Sequence, residues 1–224
     1  MQLCYNTFHS RVKWELRESQ RMSQEAGLTH RQRQALQTRR LIVDAASRLF
    51  LERGYGLTTM EAIAAEAGVA VRTVYAIFKN KRAFLREIRS ALLDQARTRE
   101  IHEEARQQHD PERRLEMIAY QNRCQWEFGG TMIAIHEGAA AVDLEAAAEL
   151  REVLGGRRRI MTRFVAEMKD ALRPDVDAGR AAAILLALCQ PAVYRELVEV
   201  AGWSPDQYEA WLAETLKEQL LPGR

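Results

Sequence analysis

The sequence has no apolar run approaching the roughly 18 to 20 residues that a membrane span needs. Its first residues, MQLCYNTFHSRVKWELRES, lack the apolar segment of a secretory signal. Both absences lead to the expectation of a cytoplasmic protein with no membrane partner. Cysteine is scarce: Cys4, Cys124 and Cys189 are odd in number and widely spaced. They form no zinc-like pair and read as reduced thiols, with a redox-sensing cysteine as the alternative. Beta-branched and aromatic residues are also few, while Ala, Leu, Glu and Arg are abundant, which favours helices. No nucleophile elbow, phosphate-cradling Gly-rich loop, HExxH pair or metal-ligand spacing occurs, so the sequence indicates no catalytic residue, no metal and no cofactor.

What is present divides unevenly. The 224 residues suffice for one large domain or two smaller ones, and 47% are hydrophobic, enough for a buried core. The net charge of +2 conceals a split. Residues 1–90 carry 16 Lys and Arg against 8 Asp and Glu, a balance of +8, whereas residues 91–224 carry 17 against 23, a balance of −6. A basic front half suits a polyanion, and the acidic remainder does not.

Residues 1–30 show no sustained apolar period and read as a flexible arm, with Met22 as a candidate start. THRQRQALQTRR (29–40) is a basic lead-in. From Arg39, the apolar residues Leu41, Ile42, Ala45, Ala46, Leu49 and Phe50 follow a three-and-four spacing that predicts a helix, stopped by Gly54 and Gly56. Thr58-x-x-Glu61 then has the form of a capping box. Ile63, Ala64 and Ala67 supply a buried side before Gly68 ends the second helix. Val69 opens a tight connection into AVRTVYAIF, and Val69 and Val74 are placed to fill the angle between the helices. Helices this short are marginal alone. Two of them joined by a short turn containing Gly match the helix-turn-helix pattern, in which they serve to present an exposed face.

The stretch RRLIVDAASRLFLERGYGLTTMEAIAAEAGVAVRTVYAIFKNKRAFLREI resembles the DNA-binding region of TetR-type transcriptional regulators. AASRLFLERGY, TT…IAAEAGV and TVY..F.NK..FL stand in family order and spacing, over about 50 of the 224 residues. The resemblance implies an all-α fold: an N-terminal three-helix DNA-binding domain (31–85) joined to a larger helical effector-binding and dimerisation domain (86–224). It places the recognition helix at 71–77. Arg72 is the candidate for guanine readout and Val71 for apolar base contact. Tyr75, Thr73, Thr59, Thr58, Lys81 and Lys79 are the candidates for phosphate contact. Two positions depart from the family pattern. Ala70 stands where Ser or Thr usually caps the recognition helix, a loss of about 1 kcal/mol. Ile77 stands where His or Tyr usually precedes the Phe.

Beyond this, residues 80–108 read as one long charged helix. A helix beginning at Asp110-Pro111 should stop at Gly129-Gly130, and a short one should follow over 131–137. Residues 144–172 read as one helix with a weak point at Gly155-Gly156, a break there being the alternative. RPDVDAGRAAAILLALCQ predicts a further helix ending before Pro191. Ser204, Pro205 and Gln207 announce the last. The resemblance implies a two-fold dimer, for which Ile184, Leu185, Leu188, Tyr208, Trp211, Leu212 and Leu216 are the candidate interface. Met117, Tyr120, Trp126, Met132, His136, Met161 and Phe164 are candidate linings of a ligand pocket, each with core packing as the alternative. The expected function is a homodimeric repressor released from a palindromic operator by an unknown small apolar ligand. The alternative is a constitutive DNA-binding architectural or adaptor protein controlled by a protein partner.

Overall fold

The structure is a computed structural model describing residues 27–223, without the side chains of Gln95 and Phe128. Cys4, Met22 and all but the end of the expected arm lie outside the described residues. At that end, Thr29 and Gln32 exchange side-chain bonds in a capping box, so the first helix begins before Arg31. The described residues form helices and connections, with no strand among them.

The order is α1 (His30–Arg53), α2 (Met60–Glu66), α3 (Val71–Ile77), α4 (Lys81–Gln95), α5 (Thr98–Arg106), α6 (Pro111–Ala140), α7 (Leu144–Ala166), α8 (Ala178–Leu188), α9 (Pro191–Tyr194, continuing as a π-helix over Arg195–Val200) and α10 (Pro205–Leu220). Several ends follow directly from local chemistry. Asp110, Asp143, Asp177 and Ser204 accept backbone N–H bonds at the starts of α6, α7, α8 and α10, satisfying donors that a helix leaves free. Pro111, Pro191 and Pro205 stand in first turns, where their missing N–H costs nothing.

Three expected helix boundaries fall elsewhere. The 80–108 helix is broken: Arg97 adopts φ 51, a left-handed conformation, and separates α4 from α5. The break turns the chain so that Leu92 and Ala96 on one side, and Ile101 and Ala105 on the other, are all buried. The stop at Gly129-Gly130 is absent, and α6 runs through it. Gly129 is a contact instead: a Cβ there would lie 2.4 Å from Leu92 Cδ2, so any larger residue forces the buried Leu92 side chain to move. Helix α7 is continuous through Gly155-Gly156, as its leading reading expected, but ends at Ala166 rather than at 172.

Two hydrophobic cores result. One is built from Ile42, Leu49, Phe50, Tyr55, Ile63, Val74, Phe78 and Phe84 of the N-terminal helices, completed by Ile135, Ala139 and Ala146 from α6 and α7. The other gathers α6, α7, α8 and α10 around Leu115, Phe164, Leu185, Tyr208, Leu212 and Leu216. Leu41, expected on the buried face of α1, is 49% exposed, while Val43 is buried. No single helix among the described residues is long and apolar enough to cross a membrane.

Candidate DNA interface

Helix α3 is seven residues long and too short to persist alone. It is held from beneath by Val74, which has no exposed area, and by Phe78 just past its end. Phe78 stacks on Phe84 at 4.3 Å between centroids, and the Arg39 guanidinium lies 4.8 Å above the Phe78 ring. Arg39 also makes two 2.8 Å bonds to Glu87, tying α1 to α4. Gly68, at φ 66, makes the turn between α2 and α3, where other residues would be strained.

With Val74 inside, the opposite face of α3 is open. Val71, Arg72, Tyr75 and Ala76 are exposed together, as residues one turn apart on a helix must be, and Lys79 follows just beyond. Arg72 and Lys79 make no ion pair among the described residues. Ala70 caps α3 with no side-chain bond. Thr73 and Ile77 are half-buried at the flanks. Tyr75 already donates its hydroxyl to Glu61 Oε1 at 3.3 Å, so donation to a phosphate requires that bond to be exchanged.

The two threonines separate. Thr59, not Thr58, caps α2, its hydroxyl accepting from Ala62 N–H at 3.1 Å. Thr58 is 1% exposed, and its hydroxyl is shared between Gly54 O at 2.9 Å and Leu49 O at 3.2 Å. It locks the end of α1 and cannot reach a phosphate. Lys81 also turns inward: its ammonium donates to Tyr55 O at 2.8 Å and Gly56 O at 3.4 Å, and lies 4.5 Å from the Tyr55 ring centroid. Burial lowers its pKa, with Asp143 opposing. Its first role is therefore to fasten the 54–57 loop, and Lys79 is the better-placed cation.

That loop meets the connection between α6 and α7. Tyr55 donates to Asp143 Oδ2 at 3.2 Å, and Gly56 faces Val142. Arg82 pairs with Asp143 and Glu145, and Arg86 with Glu149 at 2.6 Å. Bonds from Ala146 N–H, Tyr55 and Glu145 N–H hold the Asp143 carboxyl below its ordinary pKa, partly offset by burial. These partners lie 60 or more positions apart, beyond the reach of local pattern reading.

Residues 42–88 match the profile of the tetR family of bacterial regulatory proteins. Over these residues the chain resembles the N-terminal domain of that family. YhgD of Bacillus subtilis, an uncharacterised HTH-type transcriptional regulator, is 39% identical over 59 residues, 26% of this chain and 31% of that protein. The chain thus spans about a third of that relative's length. Two solved structures share the fold. NalD, the secondary repressor of the MexAB-OprM multidrug efflux pump in Pseudomonas aeruginosa, superposes with TM-score 0.66 at 24% identity, over 86% of this chain and 100% of that one. FadR from Bacillus subtilis, solved in complex with stearoyl-CoA, superposes with TM-score 0.63 at 19% identity, over 79% and 96%. Both likenesses extend beyond residues 42–88 into the helices that follow.

Of the candidate pocket residues, Trp126, Met161 and Phe164 share one hydrophobic core with Met117 packed against it, while Met132 and His136 lie outside that cluster. Phe164 is fully buried core beneath Arg114, whose guanidinium lies 4.7 Å from its ring centroid, and Met161 is buried in the same core. His136 is buried with Nδ1 2.9 Å from Met132 O, a satisfied core histidine whose pKa burial lowers. Met132 is buried, and Met117 and Tyr120 are half-buried. Trp126 borders a cavity of about 270 Å³, lined also by Ile133, Tyr194, Arg195 and Glu199, between α6 and the π-helical segment. The candidate dimer residues divide too. Leu185, Tyr208, Leu212 and Leu216 have no exposed area within their own chain and so none to offer a second. Ile184, Leu188 and Trp211 are half-buried and retain some.

Proposed function

We propose that the protein is a ligand-responsive transcriptional repressor that binds a palindromic operator as a homodimer, with residues 31–85 as its DNA-binding unit and 86–224 as its effector-binding and dimerisation unit. The observation that carries this reading is the open face of α3, on which Val71, Arg72, Tyr75 and Ala76 are displayed over a buried Val74. Arg72 reads a guanine edge in the major groove, where its planar fork matches O6 and N7. Thr59, Thr73, Tyr75 and Lys79 position the helix on phosphates. A single helix of seven residues covers few bases. Two copies on half-sites about one helical turn apart supply the missing contacts.

Repression is supported by the likeness of fold to NalD, a repressor, and small-molecule control by the likeness to FadR solved with stearoyl-CoA. A ligand releases DNA only in so far as it prefers the conformation in which the two recognition helices no longer match the half-sites. The hydrogen bond of Tyr55 to Asp143 and the ion pairs of Arg82 and Arg86 with α7 would serve as a mechanical link between the two units.

Selection from a random duplex pool tests the reading. It predicts a two-fold symmetric site bound by a dimer, with affinity that falls steeply as salt rises. Failure to enrich any site, or enrichment of a single half-site by a monomer, contradicts it.

A further inference from the structure

Helix α7 carries three consecutive arginines, Arg157, Arg158 and Arg159, directly after the Gly155-Gly156 pair. Arg106 of α5 and Arg114 and Arg123 of α6 each reach a carboxylate. Among the described residues, none of the three in α7 does. Arg157 is the unusual one because it is mostly withdrawn from water. It makes a 2.6 Å bond to Cys189 O at the end of α8, and its guanidinium lies 5.5 Å from the Trp126 ring centroid. Burial lowers its pKa, opposed only by Cys189 and Tyr208, neither of them a carboxylate.

A guanidinium has five N–H donors, and this one directs a single donor at a protein acceptor. It lines a groove of about 230 Å³ between α7 and α8, together with Leu154, Gly155, Arg158, Leu186 and Gln190. The groove combines two cations, an apolar wall and the space left by a glycine. A cation removed from water without a counter-ion is costly unless an anion joins it. Trp126, in contact with Arg157, in turn borders the 270 Å³ cavity.

We propose that the α7–α8 groove binds the anionic group of an amphipathic small molecule, a carboxylate or a phosphate, with Arg157 and Arg158 as its counter-charges. The apolar body lies along Leu154 and Leu186 toward Trp126. The inference rests on the ligand-responsive reading above and names the chemical class of that ligand. It replaces the purely apolar ligand that the sequence suggests.

The test uses the full chain with octanoate, octyl phosphate and octanol as probes, followed by calorimetric titration and by the melting temperature, which rises when a ligand binds the native state. At least one of the two anions is expected to bind and stabilise while octanol does not, and the preference between the anions identifies the head group. Arg157→Gln, which keeps a donor for Cys189 O, weakens anion binding at least about tenfold, the scale of a lost charged hydrogen bond. Arg158→Gln, at an exposed position where folding is not at stake, weakens it several-fold. Equal binding of octanol and the anions overturns the proposal, as does undiminished anion binding in both variants, or binding of no probe. Displacement of operator DNA separates the two claims. Arg157-dependent binding that leaves the DNA complex intact keeps the anion site and defeats ligand-controlled repression. Release by neutral compounds, independent of Arg157, does the reverse.

Discussion

At the scale of single residues, adjacent threonines do different work. Thr58 is sealed under the loop that ends α1, and Thr59 caps α2. Thr58→Val keeps the shape but deprives two buried carbonyls of their donor. It should lower unfolding stability by about 1 kcal/mol while leaving the salt dependence of DNA binding unchanged, measured by denaturant melts and titrations. Ala70 marks the converse case, a helix start without a side-chain cap. Ala70→Ser should raise stability by up to about 1 kcal/mol, read in the same melts. The recognition helix was legible in the sequence to its ends, because Gly68, the two valines and the family motif all mark the same turn. The cap of α2 was not. Thr58 and Thr59 both precede a helical pattern, and only the burial of Thr58 decides between them. The inward position of Lys81 is equally hidden: its place in the sequence is compatible with an outward ammonium, and the carbonyls of Tyr55 and Gly56 draw it inward.

At the scale of elements, glycines within the helical pattern did not stop their helices. Gly129 and Gly130 lie inside α6, and Gly155 and Gly156 inside α7. A glycine in a helix costs roughly 1 kcal/mol relative to alanine, which is why a local reading ends the helix there. Packing reverses that at Gly129, where Leu92 occupies the place of a Cβ. Gly129→Ala should therefore destabilise by about 1–3 kcal/mol, against its helix propensity. Adding Leu92→Ala should recover part of the loss specific to the clash, a coupling measurable in a double-mutant cycle. The bend at Arg97 was equally hidden, since a left-handed arginine carries no sequence signature. The amphipathic faces on its two sides could be satisfied by one long helix or by two. By contrast, α10 was legible from Ser204, Pro205 and Gln207 alone, because its cap is entirely local.

At the scale of the whole molecule, the DNA-binding helices are not closed on themselves. Their core takes Ile135, Ala139 and Ala146 from later helices, and Asp143 joins Tyr55 and Arg82 to the start of α7. Such long-range partners leave no periodic trace, so the sequence showed two units but not their seam. Asp143→Ala removes both a helix cap and this link. It should cost at least about 1 kcal/mol from the cap alone. The sign with pH follows from the lowered carboxyl pKa. The stabilisation is fully present above the ordinary aspartate value of about 4 and is lost as pH falls through the depressed folded value. The gap in melting temperature between wild type and Asp143→Ala should thus be widest near neutrality and close in acid.

The most direct test of the account compares Arg72→Ala and Lys79→Ala on the selected duplex across a range of salt. The account predicts that Arg72→Ala costs about 1–3 kcal/mol of affinity for that site, relaxes base preference at one position per half-site, and adds little on unrelated DNA. Lys79→Ala should weaken selected and unrelated DNA alike and reduce the salt slope by about one per protomer. Binding indifferent to Arg72, with base preference intact, would mean that the open face of α3 is not the reading surface.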